Sequence, residues 1–375
     1  MFVIIKRHSC TSWDRLYRMD VKKEIIDFIK RQGWNFFGIV SRERLQDFLE
    51  KHQKIFKQWI SDGNHGTMDW LLRMEEDRYH PEKKLPGLKS VIVLAAQYEY
   101  EQIICSKDDG VVAAYAAGRD YHKVLKKKCI ELTKWIKFND KEAQTYVSID
   151  SGPTPDRVLA EAAGLGFFGK NTMLISPDKG SFFFIASVMT NLALVETQNF
   201  ASLPMPNCGS CRKCIDVCPT GALKGDGSID ARLCISYLTI ENKEGIPVGL
   251  RPKIGNRIFG CDICQAVCPF NLKKPKNEVV MEGLRGEVGV GHTLDLREVL
   301  LMETDEQFLE KFQGTPLMRA KRRGMLRNAC VVAGNSKNRQ LIPFLERVID
   351  RETDAMLKEH AEWAIERLEN RKHQK

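Results

Sequence analysis

The sequence predicts an α+β protein in three parts: a mixed helix-and-strand domain, a compact metal module built on cysteines, and a helical end. Three observations predict it. Helical and strand-like patterns alternate from Met19 to about Ala201. Eight of the 12 cysteines fall between Cys208 and Cys268. The last stretch repeats apolar residues at the helical period. At 375 residues the chain is long enough for two or three domains of roughly 100–200 residues each. Hydrophobic residues make up 43% and charged residues 29%, which argues against a disordered or fibrous chain. No apolar run approaches the roughly 18 residues of a membrane span. Phe2–Ile5 is too short for a signal-peptide core before Lys6, Arg7 and His8. A cytoplasmic protein without a membrane partner, and a monomer, is therefore expected. The 58 basic against 49 acidic residues leave a net charge of +9, which permits a nucleic-acid partner without establishing one.

The elements follow in order. Residues 1–18 have no clear period and are expected to be an extension upstream of a native start at Met19. From there Val21, Ile25, Ile26, Phe28 and Ile29 share a helical stripe that ends before Gly33. The turn Leu85-Pro-Gly-Leu-Lys-Ser leads into a strand at Val91–Ala96. Asp120–Phe138 reads as a helix, Thr145–Ile149 as a strand, Arg157–Ala163 as a short helix stopped by Gly164, and Phe182–Met189 as a second buried strand. These define an α/β domain over residues 19–203, closed by Pro204 and Pro206. The cysteine module spans 204–276, a charged connector with glycines spans 277–318, and a helical segment spans 319–375. That segment contains helices at Met325–Ala333 and Leu341–Ile349 and a stripe of Leu357, Ala361, Ala364, Ile365 and Leu368. It resembles HEAT-like units but is too short for a long solenoid.

Cys208, Cys211, Cys214 and Cys218-Pro219 fit the bacterial ferredoxin run C-x2-C-x2-C-x3-C-P. Cys234 followed by Cys261, Cys264 and Cys268-Pro269 is a split copy with its first member displaced upstream. Thiolate sulfur suits iron. In two-cluster ferredoxins the fourth cysteine of each run ligates the other cluster. This assigns Cys208, Cys211, Cys214 and Cys268 to one [4Fe–4S] cluster, and Cys218, Cys234, Cys261 and Cys264 to the other. Two zinc sites would also use eight cysteines, but they do not account for two Cys-Pro endings at this spacing. Cys10, Cys105, Cys129 and Cys330 are left as small structural residues. Clusters move single electrons and do no substrate chemistry. A low-potential donor, unidentified by the sequence, must fill them, and another site in the chain must receive the electrons.

Gly164-Leu-Gly166-Phe-Phe-Gly169-Lys170 matches G-x-G-x-x-G, but a dinucleotide fingerprint needs a strand before it and a helix after it. Here a helix precedes and an extended stretch, Thr172–Ser176, follows. A helix C-cap followed by tight turns against a bound ligand fits better. Arg319, Lys321, Arg322, Arg323 and Arg327 form a basic cluster without acids at the start of the helical end. Such a cluster suits nucleic-acid phosphates, and its plain alternative is a solvated helix face.

Gly118-Arg-Asp-Tyr-His122, Asp150-Ser-Gly-Pro153, Asp156-Arg157, the block from Ala162 to Asn171 and the split double run together resemble the epoxyqueuosine reductases. The similarity runs over nearly all the chain from Met19. It implies a nitroreductase-like, cobalamin-binding α/β domain of the kind also seen in reductive dehalogenases. It also implies reduction of the epoxide of epoxyqueuosine at the wobble position of tRNA to queuosine, with cobalamin and two [4Fe–4S] clusters. No Asp-x-His-x-x-Gly cobalamin fingerprint is present, so the cofactor rests on the resemblance. Converting an epoxide to an alkene and water takes two electrons and two protons, and the leaving oxygen needs a positioned acid. The resemblance gives that role to Asp150, for which a turn residue before Gly-Pro is the plain alternative. It sets Arg78, Tyr121, His122, Leu174, Ile185, Ser236 and Asp262, together with Asp150, around cobalamin. It sets Asn242 and Lys243 near tRNA. Family members can carry a cysteine where Ala113 stands, which argues against an essential thiol there. Two other readings stay open: a corrinoid reductive dehalogenase of a small molecule, and an electron-transfer ferredoxin subunit. The first has no use for the basic tail. The second leaves the Asp150 and Gly-Lys-Asn blocks unexplained.

Overall fold

One central strand sends alternate side chains into two separate cores. In this computed structural model, residues 23–34, 36–150, 152–194, 207–272 and 280–370 are described. The expected extension over 1–18, the helix start at Met19–Val21, the Pro204 and Pro206 boundary and the module's end at Lys276 lie outside the described residues. The first domain runs through a helix over 23–31 (α1), Phe36–Ser41 (β1), Arg42–Ser61 (α2), Ser90–Gln97 (β2), Asp109–Val112 (β3), Tyr121–Asn139 (α3), Thr145–Ser148 (β4), Asp156–Ala162 (α4) and Phe183–Thr190 (β5). Strands β1, β2, β5 and β4 form a sheet in that order, and every pairing is antiparallel. The alternation in the sequence therefore builds an α+β sandwich without parallel crossovers.

On one face of β2, Ile92, Leu94 and Ala96 pack with Ile25 and Ile29 of α1 and with Leu125, Cys129, Leu132 and Ile136 of α3. On the other face, Val91, Val93 and Ala95 pack with Leu45 and Leu49 of α2 and with Val158, Leu159 and Ala162 of α4. Side chains of a strand alternate between faces, and here helices cover both, so β2 and β5 read as nearly unbroken apolar runs. β1 and α2 are elements that the apolar pattern leaves unnamed. Only Leu45 and Leu49 of the 20-residue α2 are buried. A local cap starts this helix: Arg44 N–H donates to Ser41 Oγ at 3.2 Å.

A second sheet joins the parts. Arg257–Phe259 (β6) pairs parallel to β3, and Thr293–Asp295 (β7) pairs antiparallel to it. It takes one strand each from residues 19–203, 204–276 and 277–318. Gly110 permits the close approach, since a Cβ there would lie 2.7 Å from Ile258 Cβ.

The helical end comprises Lys321–Asn335 (α5), Ile342–Arg351 (α6) and Ala355–Asn370 (α7). Every residue from Met325 to Gly334 is buried. α5 is thus a central helix between α7 and the cysteine module, and only its first turn offers a solvated basic face. No helix among the described residues is long and apolar enough to cross a membrane.

Candidate functional site

A cleft of about 2070 Å³ opens between the first domain and the cysteine module. Its walls include Arg78, Tyr121, His122, Asp150, Leu174 and Ile185 from the first domain, and Ser236 and Asp262 from the module. All eight residues expected around the cofactor therefore meet in one space, which exceeds the roughly 300–1,000 Å³ of a drug-sized pocket.

Asp150 follows β4 and takes φ +52°, a left-handed conformation that aspartate tolerates. Its side chain is 64% exposed, toward the cleft. Tyr121 O–H donates to Asp150 Oδ2. The Tyr121 ring stacks on His122 and on Phe184, with centroids 4.1 Å apart in each pair. Burial, with the Asp150 charge beside it, holds the Tyr121 phenol far above its ordinary pKa, so it stays a donor. His122 Nδ1 lies 2.8 Å from Asp120 Oδ1, and its Nε2 lies 3.8 Å from Asp150 Oδ2. Burial opposes the imidazolium, but the hydrogen bond and charge of Asp120 outweigh it and raise the His122 pKa.

Asp156 is a site residue that sequence reasoning quoted but assigned no role. It accepts Thr154 Oγ1–H at 2.9 Å, and the Asp150 backbone N–H is directed at it. Burial, with Asp150 nearby, pushes its carboxyl up to about 7. Arg78 braces the same loop through Nη1 to Thr154 O at 3.2 Å. Asp262 accepts Ala114 N–H at 2.8 Å, and burial pushes its carboxyl up to about 6.

The cysteines gather as two sets. Cys214 neighbours Cys208 and Cys268, and Cys268 neighbours Cys208 and Cys211. Cys234 neighbours Cys218, Cys261 neighbours Cys234, and Cys264 neighbours Cys261 and Cys234 and also Cys214. These relations bring the eight cysteines together, and the ferredoxin spacing supplies the crossed division into two sets. Cys218, Cys234, Cys261 and Cys264 all line the cleft, whereas Cys208 alone does so from the other set. The first four form the inner set. Burial pushes the Cys261 thiol up to about 12, so cluster binding there displaces protons.

The Gly-Lys-Asn block serves these loops. Lys170 N–H donates to Cys208 Sγ at 3.4 Å, and Lys170 Nζ donates to Gly209 O at 2.7 Å and Cys211 O at 3.1 Å. Asn171 Nδ2 donates to Cys264 O at 3.4 Å. The block is visible in sequence, but its partners are too distant along the chain for spacing to reveal them. The G-x-G-x-x-G run is a C-cap followed by a tight ribbon, as expected. Its glycines, however, make room for protein rather than for a ligand: a Cβ at Gly166 would lie 2.4 Å from Ile175 O, and one at Gly169 would lie 2.3 Å from Ile175 Cδ1.

The residues expected to hold tRNA divide. Arg319 lines the cleft, pairs with Glu241 at 2.8 Å and lies over Trp70. Lys321, Lys243 and Arg323 are exposed beside it, although Lys243 Nζ donates to Ile240 O at 2.8 Å and Arg319 O at 3.1 Å and Arg323 pairs with Asp354. Three of the set are corrected by their contacts within the protein. Arg327 is 1% exposed, and its guanidinium bonds to Leu238 O, Asn242 O and Glu244 O. Asn242 is buried, with its side chain turned to Glu244 O and Gly245 O. Arg322 forms a two-pronged pair with Glu352, at 2.7 and 2.8 Å. Charge along the sequence marked the two arginines and the resemblance marked Asn242, but their hydrogen-bonding capacity is spent inside the protein.

The residues present fit the implied groups. Eight thiols in two sets suit two cubanes. For a corrin, the cleft is large, and the buried Arg78 Nε on its wall lacks a protein partner.

Fold and site together define a two-cluster iron–sulfur oxidoreductase with a broad cleft beside its cysteine module. Comparison with known proteins narrows the class. Residues 207–271 match the 4Fe-4S double cluster binding domain, and residues 78–151 match the family model of epoxyqueuosine reductase QueG. An epoxyqueuosine reductase of Pseudomonas aeruginosa is 36% identical over 355 residues, covering 92% of this chain and 94% of the relative. One from Francisella cf. novicida is 36% identical over 328 residues, covering 84% and 89%. A crystal structure of epoxyqueuosine reductase with an epoxyqueuosine-modified tRNA-Tyr stem loop superposes with TM-score 0.80 at 29% identity, covering 94% and 91%. So does a Bacillus subtilis epoxyqueuosine reductase whose catalytic aspartate loop is swung out of the active site. The chain belongs to the epoxyqueuosine reductase family. This membership does not favour the dehalogenase and ferredoxin-subunit readings.

Proposed function

We propose that the protein reduces epoxyqueuosine in the anticodon of tRNA to queuosine. The observation that carries the reading is one cleft that sets Asp150, Tyr121 and His122 across from the inner cysteine set. Cobalamin, when bound, supplies a cobalt centre that exchanges single electrons. Arg78, Leu174, Ile185, Ser236 and Asp262 would hold it, and the two [4Fe–4S] clusters would feed it from a low-potential donor. The finer architecture belongs to the same reading: a nitroreductase-like cobalamin domain over 19–203, a ferredoxin-like module over 204–276, a connector over 277–318 and a HEAT-like end over 319–375. So does a monomer working in the cytoplasm.

The chain's own residues handle the protons. The epoxide takes up two electrons and two protons, leaving an alkene and water. Tyr121 O–H occupies Asp150 Oδ2, so Oδ1 is the oxygen left to carry a proton toward the substrate. His122, held by Asp120 with Nε2 facing Asp150, is placed to replenish it. The modified base must leave its anticodon stack, which costs little in a single-stranded loop. Arg319, Lys321, Arg323 and Lys243 line or flank the rim and are suited to the surrounding phosphates.

The test is anaerobic incubation of the reconstituted protein with epoxyqueuosine-containing tRNA and a low-potential reductant, followed by nucleoside analysis. Queuosine is the expected product. Unchanged epoxyqueuosine with fully loaded protein would overturn the reading.

A further inference from the structure

Between Cys234 and Cys261 the chain needs donors for its carbonyls. Residues 241–250 form no helix or strand, and buried backbone oxygens must be paired. Helix α5 supplies the donors from a distance of about 90 positions. Arg327 Nη2 donates to Leu238 O at 2.6 Å, and its Nη1 donates to Asn242 O at 2.8 Å and Glu244 O at 2.6 Å. Asn328 accepts from Arg327 Nε at 3.1 Å and Nη2 at 2.8 Å. It donates in turn to Thr239 O at 2.8 Å and Ile258 O at 2.9 Å. Both side chains are 1% exposed.

These contacts lead directly to the ligands. Leu238 N–H donates to Cys234 O at 2.9 Å. Gly260 N–H, adjacent to Cys261, donates to Thr239 Oγ1 at 2.9 Å. Arg327 meets carbonyls rather than carboxylates, and only a rigid planar fork reaches three of them while also holding Asn328 in place. Lysine, a single point donor, cannot reproduce that geometry.

We infer that Arg327 and Asn328 are positioning residues for the inner iron–sulfur cluster: through them helix α5 clamps the segment that links Cys234 to Cys261. The inference rests on the cluster part of the proposed function and is independent of the tRNA substrate. Failure to make queuosine would leave it standing.

The experiment compares anaerobically reconstituted full-length protein with Arg327→Ala, Asn328→Ala and Arg327→Lys. Cys234→Ser and Cys214→Ser provide reference spectra for loss of the inner and the outer cluster. Wild type should hold about eight iron atoms per chain, as two cubanes require. Arg327→Ala should fall to about four, with a dithionite-reduced EPR spectrum like that of Cys234→Ser. The outer cluster then reports in the same molecule that the module is folded. Asn328→Ala and Arg327→Lys should lose the inner iron to a chelator about 10-fold faster or more, in line with the usual effect of removing a supporting contact behind a metal ligand. Wild-type iron content, spectra and chelator kinetics in the folded variants would overturn the inference. Loss shared equally between both clusters would also overturn it. If Arg327→Ala fails to fold, the other two variants decide by the same criteria.

Discussion

Asp150 and Asp156 stand six positions apart and do different work because their surroundings differ. Asp150 is open to the cleft and bonded by Tyr121, whereas Asp156 is half-buried in the cleft wall against Thr154. Asp150→Asn keeps the shape and a bond from Tyr121 but carries no acidic proton. It should retain its iron and lose turnover by about 10²–10⁴-fold, the usual weight of a general acid, as read by queuosine formation. Asp156 has its folded pKa raised from 3.8 to about 7, so the folded protein binds this proton more tightly than the unfolded chain. Its contribution to stability is complete below pH 3.8 and is lost as pH rises toward 7. The melting temperature of wild type should therefore fall relative to Asp156→Asn across that window. A constant difference would show that Asp156 ionises as in the unfolded chain.

At the scale of elements, close approach and buried polar contacts decide how helices seat. β1 meets the end of α4 at Gly38, where an added Cβ would lie 2.2 Å from Ala163 O. Gly38→Ala should cost about 1–3 kcal/mol by overpacking, measured by denaturant unfolding. In α7, His360 is fully buried: Nε2 accepts Ile246 N–H at 3.0 Å and Nδ1 donates to Met356 O at 2.7 Å. That pattern requires a neutral ring, so the nearby Glu359 is not its ion-pair partner. Burial, with Arg251 beside it, pulls the pKa from 6.5 to about 4. The folded state then binds fewer protons, and this stability is lost as pH falls from 6.5 toward 4. His360→Gln should show a weaker acid-side decline in melting temperature over that range.

At the scale of the whole molecule, the cleft exists because β3, β6 and β7 lock three stretches of chain into one sheet. The basic cluster shows how such assembly reassigns charge. Arg322 is a structural partner of Glu352, with side chains 16% and 8% exposed, so Arg322→Ala should cost about 1.5–3 kcal/mol, the range for losing hydrogen bonds to a charged group. It should leave the salt dependence of tRNA binding unchanged. Replacing Lys321 and Lys243 by alanine should instead lower the slope of log affinity against log salt by about one each. A titration at several ionic strengths distinguishes the two outcomes.

Much of the fold and part of the site are legible in the chain itself. The strands at Ser90–Gln97 and Phe183–Thr190 declare themselves because burial on both faces leaves no polar alternation. The cluster ligands are legible because a cubane needs thiolates on short loops, which is a local requirement written as spacing. α2 is obscure because only a thin stripe of it is buried. The partners of Lys170, Asn171 and Arg327 are obscure because they lie far off along the chain. Sequence alone determined which thiols can converge on iron and which family's motifs the chain carries. Tertiary structure decided which basic side chains stay exposed, which carboxyl holds its proton up toward neutral pH and which helix meets the segment between Cys234 and Cys261. Those properties depend on solvent exclusion and on contacts between distant segments, and neither exists until the chain has folded.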